Sequence, residues 1–143
     1  MVAASAATIA AIWGCGGNNQ GSRLDTLAKE ALANRRPLNL QRVAPNSWDR
    51  LFVFGAYTPP TTIEQTLGFK WKDAANQSPT QDAVSLYVFT RASSVVESFQ
   101  SGALNAGCLY GTPLARAQSD LTVKSIGGAT VVVGAPDRRC DSR

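Results

Sequence analysis

The sequence predicts an α+β domain, an antiparallel sheet of about five strands with two helices packed on one face. Three observations carry this expectation. Residues 22–36, SRLDTLAKEALANRR, hold a single apolar stripe at helical spacing. Residues 48–58 and 83–91 are runs of aromatic and β-branched residues bounded by turn formers. Residues 120–134, DLTVKSIGGATVVVG, are two such runs joined by Gly127-Gly128.

The helix comes first. Leu24, Leu27, Ala28, Ala31 and Leu32 fall at i, i+3, i+4, i+7 and i+8, which gathers them on one face. Ser22 followed by Asp25 reads as a capped start, and Pro37 ends the run. Arg35 and Arg36 stand at the helix end where the backbone dipole favours cations. After a linker, WDRLFVFGAYT (48–58) places Leu51 and Val53 on one face of a strand and Phe52 and Phe54 on the other. Such a strand is expected to be covered on both sides. Pro59-Pro60 breaks it, and Thr61 with Glu64 has capping-box spacing over a second, short helix that Gly68 closes. AVSLYVFTR (83–91) reads as the next strand and VVESFQS (95–101) as its hairpin partner. Residues 101–119 are the least regular. Gly127-Gly128 then supplies the positive φ angles of a tight two-residue turn.

A chain of 143 residues is sized for one domain. Its net charge of +4 is spread out: Arg35–Arg36 and Arg138–Arg139 are paired, while Arg42, Arg50, Lys70, Lys72, Arg91, Arg116 and Lys124 are scattered. A nucleic-acid footprint wants a concentrated stripe, so this spacing argues against such a partner. Histidine is absent, which removes any Ser-His or Cys-His dyad. Neither a phosphate-binding GxxxxGK[ST] loop nor a GxSxG elbow occurs. The carboxylates Asp49, Glu64 and Glu97 are the best candidates for a small hydrolase, which needs two of them at a defined separation. No closely spaced Cys/His set points to a metal, and nothing points to a cofactor. The expectation is a binding protein and not an enzyme.

Residues 2–12, VAASAATIAAI, carry no charge and have the length of a signal-peptide core, too short to span a bilayer. They lead into Ile12-Trp13-Gly14-Cys15, which resembles the bacterial lipobox. Trp13 is bulkier than the usual residue there, and no Lys or Arg precedes the apolar run. The resemblance implies a signal peptide over residues 1–14, cleavage before Cys15, and attachment to the membrane through a lipid on Cys15. The polar stretch at 15–22 is then a flexible tether, and residues 23–143 form a single globular domain. Gly16 stands where an aspartate would retain a lipoprotein in the inner membrane of enteric bacteria, so a Gram-negative host would favour the outer membrane. The alternative is an ordinary cysteine of a cytosolic protein. Three cysteines are awkward for an exported chain; with Cys15 removed to a lipid, Cys108 and Cys140 are left to pair. Two free buried thiols are the alternative for that pair.

The segment SWDRLFVFGAYTPPTTIEQTLGFKW (47–71) resembles one seen in small uncharacterised bacterial lipoproteins: a W-D strand, F-G-x-Y-T, then a short helix ending in L-G-F-x-W. A looser likeness, through the threonine-started helix ending in Leu-Gly, is to lipoproteins of the β-barrel assembly machinery. Ala56 stands where the first family usually has Pro. The resemblance implies an exported lipoprotein in the bacterial cell envelope and no particular activity. Read physically, Trp48, Tyr57, Phe69 and Trp71, with Arg50 and Lys70 beside them, offer a binding surface for an unknown envelope protein or ligand. The favoured reading of the same aromatics is that they seal the edge of a modest core. A cytosolic protein that binds nucleic acid or protein is the main alternative function.

Overall fold

A computed structural model of the chain describes residues 17–44 and 47–140. The signal-peptide and Cys15 expectations lie outside the described residues. The described fold is α+β, with three α-helices and two antiparallel sheets of four strands each where the sequence led us to expect one sheet and two helices.

Helix α1 spans Gly17–Asn34 and buries Leu24, Leu27, Ala28 and Ala31 of the expected stripe, while Leu32 is half-buried. It starts earlier than its pattern, so residues 17–22, expected as tether, are helical. Ser22 is therefore inside the helix and not its cap; its carbonyl accepts from Thr26 Oγ1 at 3.1 Å. Tertiary packing explains the extension. Gly21 lies so close to strand β4 that an added Cβ would stand 3.2 Å from the Gln100 carbonyl. A glycine permits that approach although it is a poor helix former.

The first sheet runs in the order β4-β3-β2-β5, made of β2 (Arg50–Phe54), β3 (Ser85–Arg91), β4 (Ser94–Ser101) and β5 (Leu114–Ala115). The second runs β1-β6-β7-β8, from β1 (Leu38–Asn39), β6 (Asp120–Ile126), β7 (Ala129–Ala135) and β8 (Arg138–Arg139). The hairpin turn between β6 and β7 is Gly127-Gly128 with φ of 59° and 81°, as its sequence requires. The two-sheet arrangement follows from where the edges lie. Residues 114–115 pair with β2 at Arg50 and Leu51, so the β6–β7 hairpin does not extend the first sheet there and takes β1 as its neighbour.

Both faces of the first sheet are buried, as the alternation in β2 demands. Leu51, Val53, Tyr87, Phe89 and Phe99 face inward against α1 and against Leu38, Leu121 and Val132 of the second sheet. Phe52, Phe54, Leu86 and Val88 face outward. Helix α2 (Pro60–Leu67) and the single turn α3 (Ala74–Gln77) cover them with Ile63, Leu67, Trp71 and Ala74. The capping box expected from Thr61 and Glu64 does not form. Pro60 occupies the first helical position, and the cap Pro59 has no side chain able to accept. Gly68 does end α2, with φ 83° and its N–H on the Glu64 carbonyl.

The inner core contains a row of rings. Trp48 meets Phe89 edge-on at 5.0 Å, Phe89 lies 5.9 Å from Phe99, and Phe99 stacks on Tyr87 at 5.1 Å. Each such contact adds about 0.5–1.5 kcal/mol to what burial contributes. Phe89 sits in the middle of the row and is fully buried. Phe89→Ala is expected to cost about 3–5 kcal/mol, read from the urea midpoint. The matched change Ile126→Ala, at a half-exposed hairpin end, should cost under about 0.5 kcal/mol. Equal losses at the two positions would contradict this packing.

Candidate functional site

Six residues were expected to share one surface, and the structure separates them into four places. Trp48 is in the inner core at 3% exposure, its indole N–H donating to the Ala44 carbonyl at 2.7 Å. Arg116 covers its ring, with the guanidinium carbon 5.5 Å from the ring centroid, and donates to the Trp48 carbonyl at 3.4 Å. This tryptophan is a core residue and not part of a rim. Its pattern position misled because the sequence shows neither the Ala44 carbonyl nor Arg116 beside it. Arg50 is exposed at the start of β2, between Thr90 and Ala115. Tyr57 is 61% exposed with a left-handed φ of 61°, in the turn that leaves β2, where its N–H donates to the Pro79 carbonyl.

Phe69, Lys70 and Trp71 do come together, on the outer face beyond α2. The left-handed Gly68 reverses the chain so that residues 69–71 fold back toward the helix end. Glu64 Oε2 accepts from the Trp71 N–H at 3.2 Å and lies 3.8 Å from Lys70 Nζ. Lys70 is almost fully exposed, so that ion pair contributes little. Burial of Trp71 against Phe52 and Phe54 fixes the segment instead. Between this turn and the β3–β4 hairpin lies an open groove of about 710 Å³, reached by Phe69, Trp71, Lys72, Asp73, Ser94 and Val95. Its floor is apolar, and its rim carries two cations, Lys70 and Lys72, and two carboxylates, Glu64 and Asp73, which suits a ligand having an apolar body and polar groups.

The three candidate carboxylates are not assembled into one site. Asp49 Oδ2 accepts from the Ala92 N–H at 3.0 Å and so caps the β3–β4 turn. Glu64 holds Trp71, and Glu97 sits half-buried on β4 opposite Phe89. Among the described residues no group of three or more His, Cys, Asp or Glu side chains converges to hold a metal, and no helix is long and apolar enough to cross a membrane.

Sequence reasoning overlooked a second polar concavity. Ser85 and Tyr110 share a hydrogen bond of 2.7 Å in a cleft of about 450 Å³ that Asp25, Lys29, Asn105 and Thr130 also line. The Tyr110 ring lies over Gly55, where an added Cβ would come within 2.9 Å of it. Tyr87 is nearby in the inner core, and burial, with a smaller contribution from Tyr110, pushes its hydroxyl far above the usual tyrosine range. Tyr110 falls in the irregular 101–119 stretch, where no periodic signal marks it.

Cys108 and Cys140 lie together as a disulfide pair, Cα atoms 5.5 Å apart and 32 residues apart in sequence. Arg138 fastens the same end: Nη1 donates to the Thr112 carbonyl at 3.2 Å and Nη2 to the Pro113 carbonyl at 3.0 Å. Its Nε and Nη2 also grip the Asp137 carboxylate.

No family model, curated protein or solved structure matches this chain.

The Arg138 hydrogen bond holds the Asp137 carboxyl below the usual aspartate range. A folded-state pKa that is depressed supports the fold above the unfolded value and withdraws that support as pH falls through the folded one. Carboxyl NMR should therefore show Asp137 titrating at lower pH than an ordinary aspartate, and Arg138→Ala should return it to the usual range. An unshifted wild-type titration would contradict the clamp.

Proposed function

We propose that this is an exported, lipid-anchored protein of the bacterial cell envelope that acts by binding a partner or ligand. The observation that carries the reading is the pairing of Cys108 with Cys140 at disulfide spacing. A disulfide persists in an oxidising compartment and is rare in a reducing one. The pairing accounts for two of three cysteines and leaves Cys15 as the odd thiol, directly after an uncharged apolar run and an aliphatic-x-Gly triplet. Thioether lipidation gives that cysteine a chemical role. The likeness of residues 47–71 to small bacterial lipoproteins supports the same placement. The groove beyond α2 is the candidate contact surface, with Phe69, Lys70 and Trp71 at its edge. Its chemistry is recognition: an apolar floor with charged groups of both signs at the rim, Glu64 and Lys70 forming an ion pair at 3.8 Å.

Clickable fatty-acid labelling in the native host, comparing wild type with Cys15→Ser, tests the anchor. Label on wild type alone is the expected result; label on neither overturns it. Intact-mass analysis after alkylation tests the bridge independently. Cys108 and Cys140 should resist alkylation until reduced, and reduction should cost about 3–4 kcal/mol of stability for a loop of this length. Two freely alkylated thiols in protein from the native host would overturn the envelope placement.

A further inference from the structure

The β6 edge and the end of α1 form a cationic groove. Its floor is half-buried Leu32 and Val123 with Pro37, and Arg35, Arg36 and Lys124 stand exposed along it. The space is about 600 Å³, and no acidic residue lines it. Among the described residues none of the three cations has an ion-pair partner.

The same groove borders unpaired main chain. Strand β1 occupies the outer edge of β6 only at Asp120 and Leu121. Further along, the ladder between β6 and β7 fixes which way each peptide group points. The Thr130 carbonyl accepts from Asn105 N–H at 2.8 Å, and the Val132 N–H donates to the Asn105 carbonyl at 2.9 Å. Thr130 and Val132 thus use their main-chain groups on the side away from β6. In an antiparallel ladder, the residues opposite them hold the non-hydrogen-bonded positions and point their own N–H and C=O outward. Those residues are Ser125 and Val123. Two donors and two acceptors therefore face the groove at strand spacing.

The geometry points to an acidic peptide segment that binds here as an added strand, in line with β1 and next to β6. Its backbone would pair with Val123 and Ser125, and its carboxylates would meet Arg35, Arg36 and Lys124. A nucleic acid fits less well. The groove has no aromatic side chain on which a base would stack, and a sugar-phosphate backbone does not match a strand edge. Arg35 adds a useful handle. It has a left-handed φ of 51° as the residue after α1, with the next N–H, that of Arg36, bonded to the Ala31 carbonyl at 3.0 Å. Glycine is the residue this backbone prefers, so Arg35→Gly removes a charge without harming the fold.

The test is fluorescence anisotropy with a labelled extended peptide alternating Val and Glu, using the purified protein. The same peptide with Lys for Glu and a labelled oligothymidylate serve as comparisons. The Glu peptide should bind best. Arg35→Gly and Arg36→Ala should each weaken it about two- to fivefold. Ser125→Pro should weaken it about tenfold, because it removes an outward N–H while sparing the pairing with β7. If that variant does not fold, hydrogen exchange on wild type gives the same information: amides of Val123 and Ser125 should gain protection on adding the Glu peptide. Tighter binding of the oligothymidylate, no binding of the Glu peptide, or binding that leaves those two amides unprotected would overturn the proposal.

Discussion

Strands β2 and β3 have no polar face, and the rest of the structure answers to that. Leu51, Val53, Tyr87 and Phe89 demand cover on one side; Phe52, Phe54, Leu86 and Val88 demand it on the other. Each such side chain is worth about 1.5–3 kcal/mol when buried, so leaving either face wet would cost about as much as the whole stability of a small domain. Helix α1 and the second sheet close the inner face. The α2–α3 segment closes the outer one, with Trp71 finishing the cover. The surfaces available for recognition are what these two covers leave over: the groove between α2 and the β3–β4 hairpin, and the groove between α1 and β6.

Much of this plan was legible. The alternation in LFVF announced a strand buried on both sides, and Gly-Gly between two β-branched runs announced the hairpin. The Cys108–Cys140 pairing came from counting cysteines. What failed depended on contacts between distant residues. The start of α1 at Gly17 rests on packing against β4 that no local propensity encodes. Trp48 was grouped with the candidate surface although a core seal was the favoured reading, because Arg116, which covers its ring, is 68 residues away. Strands β1 and β5 are two residues long, too short for any periodicity, so the division into two sheets was invisible. Glu64 had the spacing of a capping residue, yet its carboxylate turned to the Trp71 N–H. Proline at the helix start had already removed the need for a box.

The sites follow the same division. Phe69, Lys70 and Trp71 were legible as a group because they are adjacent in sequence and stay adjacent in space. The cationic groove was not, since the pair Arg35–Arg36 is remote in sequence from Lys124, which was counted among scattered charges. Only the fold sets them along one unpaired edge. The C-terminal end shows how covalent and polar restraints combine: β8 is only two residues, and the bridge at Cys140 and the four-way grip of Arg138 hold it where ladder pairing alone is weak.

Native-state hydrogen exchange tests the central claim most directly. If the doubly covered sheet is the organising element, amides of Leu51–Phe54 and Leu86–Phe89 exchange slowest and together, with the free energy of global unfolding. The β6–β7 hairpin, exposed along much of β6, exchanges earlier through local opening. Amides of β2 and β3 that exchange as fast as those of the hairpin would contradict the account.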